Sequence, residues 1–380
     1  MKKLSIQLFK IMTLALVSII VVLVVIAAIF INVSPQFGAK ASPEEMKEYE
    51  ALSNFEKGQF GNLIPTSMEM SAGNIASTFR EYFRGGKDRR PDFDIPVQSI
   101  DSMDIVENKE QTKLIWFGHS AFLLQIAGKN ILIDPMFGEV PAPHPWLGGK
   151  RYSNELPISI EKLPQIDAII ISHDHYDHLD YGSIEKLKRK TKEFFVPIGV
   201  GRHFRSWGIP EEHIHELNWW EEIQFNDLTF IFTPSRHFSG RGIGDRNKTL
   251  WGSWVILGEK DKIYFSGDGG YGPHFKAIGD KYGPFDFAMI ECGQYNEKWA
   301  QIHMMPEESA QAAVDLSANM MMPIHWGAFT LALHPWTEPA ERVIKKANEL
   351  SMPILIPMIG EAIVLDTTLK AKDAKWWLKN

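Results

Sequence analysis

Residues Ser172-His173-Asp174-His175-Tyr176-Asp177-His178-Leu179-Asp180 pack three imidazoles and three carboxylates into nine positions. They follow the apolar run Ala168-Ile169-Ile170-Ile171, which reads as a buried strand. The cluster therefore lies just past a strand end, where open α/β sheets place their chemistry. Imidazole and carboxylate are the ligands that borderline metals such as zinc select. The H-x-H-x-D-H spacing lets one short loop serve two metal ions.

Three further positions share that context. His237 follows the predicted strand at 228–234, Asp268 follows the one at 262–266, and His325 follows a short one at 322–324. The glycines flanking Asp268 let the backbone come close. His303 stands just before a predicted helix at 306–316, which has proline in its first turn and Glu307 and Glu308 behind it. Asp134 ends a predicted strand at 130–134, and is either a group that orients a ligand histidine or a turn cap. His119, after Phe117-Gly118, is either support for the site or packing. Asp180 is placed to cap the next helix. With Cys292 as its sole cysteine, the chain has no internal disulfide and no cysteine-based zinc site. Cys292 itself reads as a small buried residue.

The elements that must position these groups are short apolar runs at 113–117, 121–126, 130–134 and 168–172, a helix at 183–192, and strands at 194–197, 228–234, 253–257, 262–266 and 287–290. Helices at 306–316 and 339–350 and strands at 322–324, 354–356 and 362–365 follow. Many strands with interspersed helices predict two sheets flanked by helices. No linker divides 113–380, so this stretch reads as one domain. Residues 35–112 read as a linker and extension, including a helix at 43–52 capped by Ser42. Trp219-Trp220 either line an acyl groove or fill core. Trp376-Trp377, set among lysines, either rest on a membrane surface or belong to a terminal helix.

Residues 1–34 are distinct. From Ile11 to Val33 there are 23 residues without a charge. At ~1.5 Å per residue they span roughly 35 Å, enough to cross a bilayer. Lys2, Lys3 and Lys10 precede the run, so the positive-inside rule puts the N-terminus in the cytoplasm and the rest outside. The competing expectation is a signal peptide removed near Ala39-Lys40-Ala41, with the remainder secreted. Either way the remainder is exported. The net charge of −7 and the absence of long basic blocks argue against nucleic acid as a partner.

The H-x-H-x-D-H loop, a later histidine, a Ser-Gly-Asp turn and a late Ile-His-Trp-Gly resemble the metallo-β-lactamase fold. The loop together with Leu250-Trp251-Gly252-Ser253-Trp254, Gly267-Asp268, Gly283-Pro284-Phe285-Asp286 and Ile324-His325-Trp326-Gly327 is similar to the zinc phospholipase D that cleaves N-acylphosphatidylethanolamines, and to its bacterial relatives. The resemblance covers roughly 60–366. It implies an αββα sandwich and two zinc ions. His173, His175 and His237 would hold one, Asp177, His178 and His325 the other, and Asp268 would bridge them. His/Asp sites also accept iron or manganese. Metal ligation brings the pKa of bound water towards ~7, which makes hydroxide the expected nucleophile. His303 would then stabilise a phosphoryl oxygen or protonate the leaving group. The implied reaction is phosphodiester hydrolysis of a phospholipid. The alternatives are hydrolysis of a lactone, amide or ester by the same metals, and a non-catalytic envelope protein. Neither oligomeric state nor headgroup is legible.

Overall fold

The computed structural model describes residues 2–68, 71–107, 110–366, 368–370 and 375–378. The apolar run forms α1 (Lys2–Val33), and its stretch Ile6–Val33 is long and apolar enough to cross a membrane. After a 3-10 turn at Pro35–Phe37 comes α2 (Pro43–Glu50). A reciprocal cap starts it: Glu45 N donates to Ser42 Oγ at 3.1 Å, and Ser42 N donates to the Glu45 carboxylate at 2.7 Å. A hairpin, β1 (Phe55–Glu56) and β2 (Gln59–Phe60), and helices α3 (Ala72–Arg84) and α4 (Ser102–Val106) lead to the main body.

There the strands are β3 (Lys113–Trp116), β4 (Phe122–Ile126), β5 (Lys129–Ile133), β6 (Ile166–Ile170), β7 (Thr191–Pro197), β8 (Ile214–Leu217), β9 (Glu222–Phe225), β10 (Leu228–Thr233), β11 (Ser253–Leu257), β12 (Lys262–Phe265), β13 (Phe287–Glu291), β14 (Met321–Ile324) and β15 (Ala362–Val364). The helices are α5 (Tyr181–Leu187), α6 (Gly201–Ser206), α7 (His274–Tyr282), α8 (Pro306–Asp315) and α9 (Glu338–Glu349). One sheet is ordered β15-β3-β4-β5-β6-β7-β8 and the other β14-β13-β12-β11-β10-β9.

Two-residue alternation builds the layers. Phe122, Leu124 and Ile126 of β4 face the second sheet, in one core with Phe232, Trp254 and Phe265. Leu123 points the opposite way, into a core with Ile169 and Phe194 that Ile184, Leu187 and Phe204 of α5 and α6 close. Helices α8 and α9 pack on β13 and β14 from outside, with α7 beside α8. The result is the expected αββα sandwich. The pairings make β3, β5 and β6 run in one sense, as do β10, β12, β13 and β14 within their own sheet. The carboxyl ends of these strands carry the chemistry-bearing residues.

Several elements depart from expectation. The helix expected at 183–192 starts and stops earlier, because Asp180 caps it (Ser183 N donates to Asp180 Oδ2, 2.8 Å) and Thr191 already pairs with Ile166 in the sheet. The strand expected at 354–356 reduces to a single bridge between Ile354 and Met321. Pro353 and Pro357 flank it and cannot donate to a ladder. Helix α7 and strands β8 and β9 carry too many polar residues for an apolar pattern to reveal them. Trp376 and Trp377 are buried, not laid on a surface. Trp376 stacks on Trp326 (centroids 5.6 Å apart) in a cluster that includes Trp116 and Trp336. Of the tail around them, 371–374 and 379–380 lie outside the described residues. Trp219 fills core and donates to Trp251 O at 2.6 Å, while Trp220 is half-buried beside a surface groove.

Candidate metal centre

The histidine loop leaves β6 through the buried Ile171 and Ser172 and tightens into a helical turn, with His178 N and Leu179 N both donating to His175 O (3.1 and 2.8 Å). Asp134 holds it from beneath. The Asp134 carboxylate is fully buried, accepts from Ser172 N (2.7 Å) and Ser172 Oγ, and meets His178 Nδ1 at 2.6 Å. That contact sets His178 Nε2 as the inward nitrogen. The turn of Asp268 approaches from the other sheet. A side chain at Gly267 (φ +56°) would put its Cβ 2.5 Å from Gly252 O and 2.7 Å from Ser172 Cβ, so only glycine fits.

Two groups of ligand atoms result. In the first, His173, His175, His237 and Asp268 each offer an atom within 4.8 Å of the others. His175 Nδ1 stands 2.9 Å from His173 Nε2 and 3.3 Å from His237 Nε2, and Asp268 Oδ2 is 3.8 Å from each of the latter two nitrogens. His237 Nδ1 donates to Ile302 O at 2.9 Å, which turns Nε2 inward. Asn62 clamps the His237 backbone, accepting from its N–H (3.1 Å) and donating to its carbonyl (2.8 Å). In the second group, His119, Asp177, His178 and His325 converge in the same way. Asp177 Oδ2 lies 2.9, 3.6 and 3.9 Å from nitrogens of His119, His178 and His325. Asp268 touches this group too, with Oδ2 at 3.1 Å from His178 Nε2 and Oδ1 at 3.0 Å from His325 Nδ1. His119, Asp134 and His325 all have positive φ (56°, 40° and 67°). Such conformations cost of order 1–3 kcal/mol each, and here they occur where strands turn to present side chains to the nest.

The donor set fits cations. His178 Nε2 and Asp268 Oδ1 are buried without a hydrogen-bond partner, which is costly unless something else satisfies them. Burial holds His173 and His237 well below the ordinary histidine range, so they are neutral and present lone pairs. For His178 burial acts in the same direction, but Asp268, Asp177 and Asp134 together outweigh it and raise the group well above that range. Burial resists ionisation of Asp177 and Asp268, yet the surrounding imidazoles, His178 foremost, keep both carboxylates ionised.

His303 sits over the join. Its ring lies 5.0 Å from that of His237 and stacks on that of His325 at 5.2 Å, and it shares a third ligand-competent group with Asp268 and His325. Its Nδ1 is 2.9 Å from Glu291 Oε1, while Glu291 Oε2 accepts from Met304 N (3.0 Å). Burial pushes Glu291 up to about 7, and the hydrogen bond to Glu291 raises His303 against the pull of burial. Glu291, Asn62 and the framework of Asp174, His203 and Arg241 were not anticipated. Glu291 carried the same signal as Asp268, an acidic residue ending an apolar strand. Asp174 accepts from Gly240 N and Thr249 Oγ1 (both 2.8 Å) and so braces the neighbouring loop. Cys292 is buried, as expected.

The sequence of residues 129–326 matches the family model described as "Beta-lactamase superfamily domain". An uncharacterized protein of Mycobacterium tuberculosis is 38% identical over 335 residues, covering 86% of this chain and 88% of that protein. The N-acyl-phosphatidylethanolamine-hydrolyzing phospholipase D 1 of Caenorhabditis elegans is 31% identical over 265 residues, covering 66% of this chain and 74% of that one. Among solved structures, the isothiocyanate hydrolase from Delia radicum gut bacteria superposes with a TM-score of 0.53 at 24% identity, over 66% of this chain and 98% of that one. By its fold, its candidate ligand clusters and these relatives, the chain belongs to the metallo-β-lactamase superfamily of metal-dependent hydrolases.

Proposed function

We propose that the chain is a dizinc phosphodiesterase that cleaves membrane phospholipids in a phospholipase D-type reaction, on an N-acylphosphatidylethanolamine-like substrate. The observation that carries the reading is Asp268, a single carboxylate in contact with two adjoining His/Asp groups. The kinship with the C. elegans phospholipase D supplies the substrate class. In the first group His173, His175 and His237 would hold one ion. In the second Asp177, His178 and His325 would hold the other, with Asp268 shared and His119 braced against Asp177. When bound, two such cations would supply a nucleophilic water at neutral pH and would neutralise charge developing on phosphoryl oxygens. His303, fixed at Nδ1 by Glu291, keeps Nε2 for the substrate and hands its proton to the departing alkoxide oxygen.

We read the chain as an anchor (1–34), an extension laid on the core (35–112) and the catalytic domain (113–380). α1 spans the membrane, with its N-terminus in the cytoplasm and the catalytic domain outside. The test is metal analysis of the full chain in detergent, coupled to a panel of phospholipid, lactone, ester and amide substrates with and without chelator. Two bound zinc ions and chelator-sensitive release of phosphatidic acid are expected. Turnover restricted to lactones, esters or amides would overturn the phosphodiesterase assignment.

A further inference from the structure

Outside α1, the two most exposed large apolar side chains among the described residues are Ile243 (88%) and Trp146 (72%). They lie on different loops, and both loops border the histidine loop. The first loop leaves Asp134, and the buried Arg151 ties it down by donating to Met136 O and Phe117 O. The second loop begins at His237. Its Phe238 ring rests 4.5 Å from that of His175, and its Arg241 donates to Asp174 O (2.6 Å) and Leu179 O (2.7 Å), which frame the candidate ligands.

Both loops also meet the end of α1. The Phe30 ring contacts His144 (4.7 Å) and Trp146 (6.3 Å) on the first. On the second, Arg241 donates to Gln36 O at 2.9 and 2.8 Å. The segment between helix and domain is not a swivel. Trp207 Nε1 donates to Pro35 O (2.8 Å), Ala39 N donates to His203 Nδ1 (2.9 Å), and Arg202 Nε donates to Ala39 O (2.8 Å). His203 and Arg241 are themselves buried, so these backbone groups complete the interior of the domain.

We propose that these two loops form a rim that docks on the bilayer, with Trp146, Leu147 and Ile243 in the interfacial layer, so that the metal site draws lipid from the leaflet in which α1 ends. Trp and aliphatic side chains left bare beside a spanning helix suit that layer, where an apolar ring is accommodated at headgroup depth. The rigid strap at 35–39 fixes the orientation, which a flexible tether would leave free.

This inference rests on reading α1 as a membrane span. The experiment separates the two ideas. The full chain is placed in phosphatidylcholine nanodiscs and labelled with a fluorophore at Ile20→Cys, Trp146→Cys, Ile243→Cys or Val314→Cys in turn. The native thiol of Cys292 is buried and stays silent. Nitroxide lipids then quench from defined depths. Quenching of positions 146 and 243 by headgroup-level nitroxide, of position 20 by deep nitroxide, and none at position 314 on the outer helix α8, is the expected pattern. Quenching at 20 with none at 146 and 243 overturns the docking rim and leaves the anchor standing. No quenching at 20 overturns both.

Discussion

Replacing Asp134 with Asn tests the support of the candidate metal site without removing a proposed ligand. Asp134 is fully buried and every contact it makes receives a proton. Oδ1 accepts from Ser172 N at 2.7 Å, and Oδ2 faces His178 Nδ1 at 2.6 Å. Oδ2 also accepts from Ser172 Oγ, so an amide has one oxygen for three donors. If its NH2 faces His178, that histidine must move its proton to Nε2, the nitrogen turned towards Asp177 and Asp268. If the NH2 faces Ser172, a buried backbone N–H loses its acceptor. The second outcome leaves a buried donor unsatisfied, at about 1–3 kcal/mol. In the first case the loss falls directly on metal affinity, roughly ten- to a hundredfold. Competition against a chromophoric chelator at neutral pH resolves the two binding events. We expect the event that uses His178 to weaken by about that factor while the other, built on His173, His175 and His237, changes by no more than about threefold. Equal weakening of both, or of neither, would refute the assignment of Asp134 to one group.

His303→Ala should retain both metals by elemental analysis and lose about 10²- to 10⁴-fold in kcat; loss of a metal would make it a ligand instead. Asp268→Asn should keep its circular dichroism spectrum and lose turnover by orders of magnitude; normal kinetics would count against the shared-carboxylate role. Because the candidate ligands come from both sheets, metal binding should stabilise the fold, by about 2.7 kcal/mol when free metal exceeds Kd a hundredfold. Calorimetry should therefore show a lower Tm after chelation, and an unchanged melt would mean that metal does not join the layers.

Where the chemistry was legible, it was because a local signal sufficed. His237, Asp268 and His325 each end an apolar strand, and a charged residue in that position has little to do in a core. Glu291 sends the same signal at the end of β13, an acidic residue closing an apolar strand. His203 and Arg241 gave no signal at all, since their partners in the strap are backbone groups more than 160 positions away and a backbone group has no residue type to read. The burial of Trp376 and Trp377 was not legible for a related reason. Flanking lysines suggest a surface, whereas the rings that cover them come from remote parts of the chain. Among the elements, strands with clean apolar runs were found, and polar edge strands such as β8 were not. β8 settles its charges by pairing, His215 with Glu193 at 2.8 Å, rather than by burial.

The strap at 35–39 engages its receptor residues almost wholly through main-chain atoms. Gly38 is fixed, since a Cβ there (φ +73°) would fall 2.1 Å from His203 Nδ1, and Phe37 packs on Phe30; at Pro35, Gln36 and Ala39 the side chain is freer to drift than the strap's residue count. One inserted amino acid would shift the Pro35 and Gln36 carbonyls out of step with the Ala39 amide and strand the indole and guanidinium that wait for them. Replacing α1 by a foreign apolar helix should accordingly leave the fold intact when the splice falls before Ser34 and disturb it when it falls a few residues later.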